Sequence, residues 1–466
     1  MMLTSLSFVS YLILVIFVYY LFPKKIRYIP LFAANSIFII SFGFSLYIFM
    51  IVYSLINYLF LLLMIRANTI YKKAIIIFAI FCNISILCYF KYLNFILSNI
   101  DRLFQKSITF SSLKTTDFIV PLGMSFYTFK VISLIIDSYK NKSKNICLNK
   151  YFSYVLFFPQ FLSGPIERFS TFAHNFTNQT LFNSSNFFIG VERILYGFFK
   201  KMVIADNMAP FINNVFVSPS KFMGIDFIIS AYLFSFQIYF DFSGYSDIAI
   251  GVARILGFQT PENFNLPYLA TSIRDFWRRW HISLSSWFRD YLYIPLGGNR
   301  KGKLRTYTNL LIVFTLTGFW HGANWTFIIW GFLHGFYLVV TNVYFQLRSH
   351  FLSKNNLLVK LEKIVGLILT FNFVTFSWIF FRSNSIKDVL FIFKGILTSK
   401  YILAHINYVL FYPLLLIFLA TIMKRLLFNQ KFKQLQIGRI IFSLLIFILI
   451  ILCSNYVNKD FLYFKF

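Results

Sequence analysis

Apolar residues recur along this chain in stretches long enough to cross a lipid bilayer, separated by short polar or basic breaks. They fall near 3–22, 30–48, 50–65, 74–92, 117–136, 151–163, 187–204, 225–250, 306–320, 325–345, 364–381, 407–423 and 437–454. A span needs about 20 apolar residues to cover roughly 30 Å of hydrocarbon. Over 466 residues the pattern predicts an all-α polytopic membrane protein of roughly 10–13 membrane helices. Regular spanning breaks down in the middle third. PLGMSFY (Pro121 to Tyr127), FPQFLSGPIE (Phe158 to Glu167) and DFSGYSD (Asp241 to Asp247) set Gly, Pro, Ser and Asp within apolar surroundings. Irregular backbone at membrane depth survives only inside protein or beside a watery cavity. The expected architecture is therefore a wall of helices around a central polar tunnel, with re-entrant or interfacial helices beside it. No repeat suggests duplicated transporter halves, and no soluble second domain is evident. The chain reads as one integral-membrane domain, with N-terminal spans over 1–110, a core over 111–345 and C-terminal spans over 346–466.

Composition agrees with that reading: 58% of residues are hydrophobic, 22% aromatic and 13% charged. A soluble domain is about half apolar and a quarter charged. The formal net charge of +29 suggests nucleic acid at first sight. The basic residues, however, are scattered between spans, at Pro23 to Arg27 (PKKIR), at Arg66 with Lys72 and Lys73, and between Lys424 and Arg439. That is the positive-inside signal of an inner-membrane protein, and anionic lipid headgroups are its default partner. Taken as cytoplasmic, these loops place both ends of the chain outside. The first run, Leu3 to Phe22, is long enough to span and has no basic segment before it, so it reads as an anchor. The four cysteines form no CxxC, zinc spacing or disulfide framework, and no HExxH, GxSxG or Walker loop occurs. Neither a metal site nor a nucleophilic triad is expected.

The segment Arg274 to His334 is the polar anomaly. His321 closes an apolar run within Thr317-Gly-Phe-Trp-His-Gly. An ionisable group in such a place is a functional candidate, and imidazole changes charge near neutral pH, as a general base must. A histidine satisfied by a carbonyl at a helix junction fits the same residues. His334 repeats the His-Gly pattern thirteen residues on; one helix would set the two far apart on its circumference, Gly322 and Asn324 make even that helix doubtful, and His334 reads as a packing or interface residue. Arg274, Trp277, Arg278 and His281 recur at helical spacing, with Trp280, Leu284 and Trp287 on another sector. Two readings stand: an amphipathic interfacial helix, or a buried helix bordering a reaction centre whose arginines meet cosubstrate phosphates. Asp241, Asp247 and Asp290 read as structural partners of basic groups, with Arg289 and Arg278 available to Asp290. Glu167 with Arg168 is equally open. His174, His350 and His405 carry no assigned role.

From Pro121 onward, and above all from Asp241 to Gly335, the chain resembles the membrane-bound O-acyltransferase family. The runs DFSGYSDIAIGVARILGFQTPENFNLPYLATSIRDFWRRWHISLSSWFRDYLYIPLGGNR and TGFWHGANWTFIIWGFLHG resemble its bacterial branch, the membrane subunits of alginate and cell-wall polysaccharide O-acetylation systems. FSWIFFRSNS (Phe376 to Ser385) is similar to that branch's C-terminal part. The likeness covers about four-fifths of the chain, the first hundred residues matching only in hydropathy. Leu296-Gly-Gly-Asn-Arg300 favours the acetylating branch over the D-alanyl-lipoteichoic acid branch. The resemblance implies an enzyme of the bacterial cytoplasmic membrane, with the core over 111–345 catalytic. His321 takes the position of the near-invariant catalytic histidine and His281 a second, more variable polar position. Arg278 and Arg279 are candidates for the donor's phosphates. Acetyl-CoA would be the acyl donor, with no permanently bound cofactor. A separate exoplasmic acetyltransferase of SGNH type, or polysaccharide-assembly proteins, would be partners.

Three classes share these features. An acyltransferase loses acetyl transfer when His321 is removed. A polysaccharide or lipid-linked glycan transporter has the same apolar composition and polar centre without acyl-transfer chemistry. An assembly scaffold depends on its surface helices instead. The acceptor glycan is not written in these residues.

Overall fold

The computed structural model describes residues 2–104, 121–140, 146–178, 181–351, 356–398 and 436–454. The 407–423 run, the basic residues from Lys424 to Lys433 and His405 lie outside the described residues, as does the side chain of His350. Among the described residues every regular element is helical. Five helices are long and apolar enough to cross a membrane: 44–66, 69–103, 224–255, 325–348 and 358–382. Three shorter apolar helices, 6–21, 28–40 and 438–453, accompany them. The described chain divides into two compact units, 1–193 with 249–261, and 194–248 with 262–466.

In the first unit, α1 (Leu6–Leu21), α2 (Tyr28–Ile40), α3 (Phe44–Arg66) and α4 (Thr69–Leu87) precede α5 (Leu93–Leu103). Met50, Tyr53, Asn57, Leu61 and Met64 recur at three- and four-residue spacing and form the buried stripe of α3. Phe44, Ile48, Val52, Leu55 and Leu59 point outward, as apolar side chains against lipid do. Asn83 of α4 donates to Asn57 Oδ1 at 2.7 Å and accepts from the Tyr53 hydroxyl. Such polar bonds hold helices together where lipid offers no competing solvent.

The irregular centre expected around Pro121 and Phe158 is present in this unit. After α6 (Met124–Tyr139), the 151–163 run forms α7 (Leu148–Val155), a break, and the four-residue α8 (Phe158–Phe161) before α9 (Phe169–Thr177). Every residue from Tyr151 to Glu167 is buried. Several of its polar groups are met from within: Lys130 Nζ donates to the Tyr154 carbonyl (2.7 Å) and Gln160 Oε1 (3.2 Å), and Gln160 Nε2 donates to Glu167 Oε2 (2.6 Å). Asn35 Oδ1 accepts from the Phe158 amide at 2.9 Å. Gly123, at φ +76°, lies so close to the Phe161 carbonyl that any side chain there would collide with it.

α10 (Ser184–Phe198), which begins in the first unit, leads through a π-helical stretch, Phe199–Ala205, into α11 (Asp206–Val217), followed by α12 (Gly224–Ile255), whose residues up to Ile248 belong to the second unit. Here the sequence expectation is corrected. DFSGYSD is not irregular backbone; it lies in the middle of the unbroken α12. Its acids are neutralised by two lysines from the neighbouring π-helical stretch. Lys201 Nζ reaches Asp241 Oδ1 (2.6 Å) and Asp206 Oδ1 (2.7 Å), and Lys200 pairs with Asp247 and donates to Ser243 Oγ at 3.1 Å. Gly244 lets the two backbones touch, since a side chain there would meet the Gly197 carbonyl and the Lys201 amide. The irregularity belongs to the partner stretch, not to the motif.

Beyond α12 come α13 (Ile273–Arg279), α14 (Ile282–Phe288), α15 (Lys303–His321), α16 (Trp325–Phe351), α17 (Asn356–Arg382) and α18 (Ile386–Thr398). α15 and α16 form a tight antiparallel hairpin. Gly318 and Gly331 face each other across it, and a Cβ on either would strike backbone: the Phe327 carbonyl for Gly318, the Phe314 carbonyl for Gly331. Gly335 extends the same close seam against Leu310 and Leu311.

Candidate active site

All three histidines of the polar segment fall in the second unit, and all are buried: His281 and His334 at 0% exposure, His321 at 4%. The expected break between His321 and His334 is there. α15 ends on His321, Gly322 is extended (φ −166°, ψ 151°), and α16 starts at Trp325. Asn324 Oδ1 caps the new helix by accepting from the Thr326 amide at 3.1 Å. The hairpin that results sets His321 and His334 on two sides of one indole. Trp330 lies 5.1 Å from the His321 ring at 89° and 4.9 Å from the His334 ring. Trp378 of α17 stacks on Trp330 at 5.5 Å, and Phe381 packs against His321 at 5.2 Å. His321 therefore sits in an aromatic box built by three helices.

The single helix read through Arg274 to Trp287 is corrected. α13 ends at Arg279, and His281 is in the left-handed region (φ +42°, ψ 54°) before α14. Asn263 makes the break. Its carbonyl accepts from the Ile282 amide (3.0 Å), and its side-chain Oδ1 accepts from the Ser283 amide (3.3 Å) and Ser283 Oγ (2.9 Å). A left-handed residue with a side chain is uncommon, and histidine is among the types that tolerate it. The kink turns His281 away from the arginine face and packs it against Phe242 (4.6 Å) and Trp320 (6.4 Å). His281 and His321 thus flank the Trp320 indole, which lies 5.0 Å from His321.

Burial pushes the His281 imidazole down to about 3. In the unfolded chain the same group takes up a proton near 6.5. Between these values the unfolded state binds more protons, so this contribution to stability is full above about pH 6.5 and declines as pH falls toward about 3. His281→Asn keeps a residue suited to the left-handed backbone and removes the titration. Its melting temperature in detergent should fall less steeply below about pH 6.5 than the wild type's; parallel curves would contradict the assignment.

Beside this box, α13 to α16 enclose a cavity of about 720 Å³. Its rim carries Arg274, Arg278, Arg289 and Lys303, all exposed. Arg274 bonds to Asn342 of α16, which is also at the rim. Its interior is apolar, with Leu284, Phe288, Val313, Phe314 and Leu338, and the buried Trp277 and Thr317 line it as well. Thr317 precedes His321 by four residues on α15, one turn away on the same face. Of the two arginines singled out in the sequence, Arg278 lines this cavity. Arg279 does not; it pairs with Asp275 at 2.9 Å and donates to the Asn265 carbonyl. Asp290 pairs with Arg289 at 2.8 Å.

The Gly-Gly turn is pinned beside the rim. Asn309 Nδ2 donates to the Gly298 carbonyl at 3.0 Å, and Gly297 and Gly298 take φ +108° and +56°, positive values that glycine adopts at least cost. Ser285, Tyr307 and Gln346 also line the cavity and were not singled out from sequence. Among the described residues no group of three or more His, Cys, Asp or Glu could hold a metal ion.

The chain belongs to the membrane-bound O-acyltransferase family, whose model matches residues 65–386. Among its relatives is the peptidoglycan O-acetyltransferase of Helicobacter pylori (strain ATCC 700392 / 26695), 40% identical over 70% of this chain and 65% of that protein. A probable alginate O-acetylase of Pseudomonas syringae pv. tomato is 40% identical over 67% of this chain and 58% of its own length. The teichoic acid D-alanyltransferase of Streptococcus thermophilus is 31% identical over 58% of this chain and 70% of that protein. The chain thus matches 58–65% of the length of the two acetylating relatives.

Proposed function

We propose that this chain is an O-acyltransferase of the bacterial cytoplasmic membrane that takes acetyl from cytosolic acetyl-CoA for O-acetylation of a cell-envelope polysaccharide. The observation that carries this reading is the cavity: cations at its rim, apolar walls, and a lining residue, Thr317, one helical turn from His321. That gradient suits a thioester donor whose phosphates stay at the rim while its acyl end enters. Arg274 and Arg278 are the rim groups placed for phosphate. Two acetylating relatives at 40% identity support acetyl as the group carried.

His321 acts as the general base. Its imidazole takes the proton of an acceptor hydroxyl while that oxygen bonds to the thioester carbonyl carbon. The C–S bond then breaks, and the departing thiolate takes the proton back from the imidazolium. The last carbonyls of α15 carry partial negative charge, which favours the imidazolium formed in this step. His281, behind Trp320, lies in the same aromatic wall and would assist as the second polar group. The acceptor is alginate-like, peptidoglycan or another surface glycan, reached through an exoplasmic acetyltransferase partner of SGNH type.

Two measurements test this. Membranes holding the chain should transfer label from acetyl-CoA, and a deletion strain should lose acetyl esters from its peptidoglycan or surface glycan. Unchanged esters in both polymers would overturn the envelope reading and leave glycan transport as the alternative. Arg278→Gln should raise KM for acetyl-CoA roughly three- to tenfold with kcat unchanged, as loss of an exposed ionic contact of about 1 kcal/mol does. An unchanged KM would remove Arg278 from the donor's path.

A further inference from the structure

His334 is the polar group in this region that the proposed chemistry leaves unused. It is fully buried, and its Nδ1 accepts a hydrogen bond from the Trp277 indole Nε1 at 3.3 Å, the rings meeting at 84°. Accepting at Nδ1 places the imidazole proton on Nε2, and Nε2 finds no partner among the described residues. Leaving a buried donor unmet is unfavourable. If the position needed only volume, leucine or phenylalanine would fill it without that cost. What imidazole supplies and they do not is an acceptor for one indole.

That indole has a particular place. Trp277 lines the cavity, whereas His334, Trp330 and His321 do not. Its ring lies 5.9 Å from Trp330 and 5.0 Å from Phe314. Trp330 in turn contacts both His321 and His334. Ring contacts therefore run from Trp277 at the cavity through Trp330 to His321, and the His334 bond fixes which way the Trp277 edge faces.

We infer that His334 is a positioning residue: it holds Trp277 as the inner wall of the donor cavity and so sets where the acyl carbon comes to rest relative to His321. This rests on the acyl-transfer reading above. A misplacement of about 1 Å at a reacting centre can cost 10²-fold in rate, while the rim contacts that bind the donor stay as they were.

The test uses the full chain purified in detergent, with acetyl-CoA as donor, and four variants. His334→Leu removes the acceptor, His334→Asn keeps one, Trp277→Phe removes the donor, and the last variant combines His334→Leu with Trp277→Phe. His334→Leu should lower kcat about 10- to 100-fold with KM within about twofold. His334→Asn should restore most of kcat. The double variant should be no worse than Trp277→Phe alone, because the two residues act as one unit. Effects that multiply, or an asparagine as damaging as leucine, overturn the inference.

A second readout does not depend on the donor: the rate at which diethylpyrocarbonate modifies His321, followed by peptide mass spectrometry. Faster modification in His334→Leu, with the wild-type rate in His334→Asn, supports the inference; equal rates in all variants overturn it. If the wild type neither binds nor turns over acetyl-CoA, the proposed activity fails, and the modification rates still decide the role of His334.

Discussion

His321→Ala is expected to cut acetyl transfer from labelled acetyl-CoA by about 10²- to 10⁴-fold, the usual worth of a positioned general base. The protein should still insert, purify as a single species and bind acetyl-CoA, because the cation rim and the cavity walls lie on other residues. A fall in kcat with KM retained is the signature of a group acting only in the transition state. His321→Gln keeps much of the volume inside the box formed by Trp320, Trp330 and Phe381, so it separates chemistry from packing. Both variants should be equally inactive. Transfer at the wild-type rate in either would remove His321 as the base and return the transporter reading to first place.

The second large effect is on folding. Lys201 is buried and reaches two carboxylates, Asp206 and Asp241. Lys201→Met removes the cation and leaves both acids in a low-dielectric interior. Breaking a buried ion pair from one side costs about 3–5 kcal/mol. The variant should melt far below wild type in detergent and become quickly accessible to protease. Adding Asp206→Asn and Asp241→Asn should recover most of the loss, since neutral partners need no counter-charge. A Lys201→Met chain that melts with the wild type would show that the pairs carry no weight. The two experiments are independent, one reading rate without stability and the other stability without chemistry.

Much of the fold could be read directly because lipid imposes a simple rule on sequence. Phe44–Arg66, Trp325–Arg348 and Leu358–Arg382 are apolar for the length of a bilayer, and each is a helix. The irregular buried segment at Phe158 to Glu167 was legible from Pro159, Gly164 and Pro165. DFSGYSD misled for a physical reason. Glycine, serine and aspartate do mark loops in water, but inside this bundle Gly244 serves close approach and the acids serve Lys200 and Lys201. Those lysines lie inside the 187–204 apolar run, and nothing in its pattern pairs them with acids some forty residues away. The break at His281 was illegible because its cause, Asn263, lies eighteen residues upstream, and the spacing of Arg274, Trp277 and Arg278 continues a helix perfectly well.

The candidate site divides in the same way. His321 and Arg278 announced themselves, one as an ionisable group at the end of an apolar run, the other as a cation on an aromatic helix. Arg279 looked equivalent to Arg278 because the two are adjacent. On a helix, neighbours point about 100° apart, and that angle takes Arg279 to Asp275. His334 looked like packing because nothing in sequence places Trp277 beside it, 57 residues away.

The π-helical stretch Phe199–Ala205 is, in register terms, a helix carrying one residue too many. Its wider turn brings the consecutive Lys200 and Lys201 closer to one face than an α-helix would, so that both meet acids of α12. Delete any one residue between Phe199 and Ala205 and the helix would close to ordinary pitch, and Lys200 and Lys201 would no longer be presented together to α12. A length change of one, harmless in most loops, would here unpair two charges at once. Within this stretch, chain length is as strictly set as residue type.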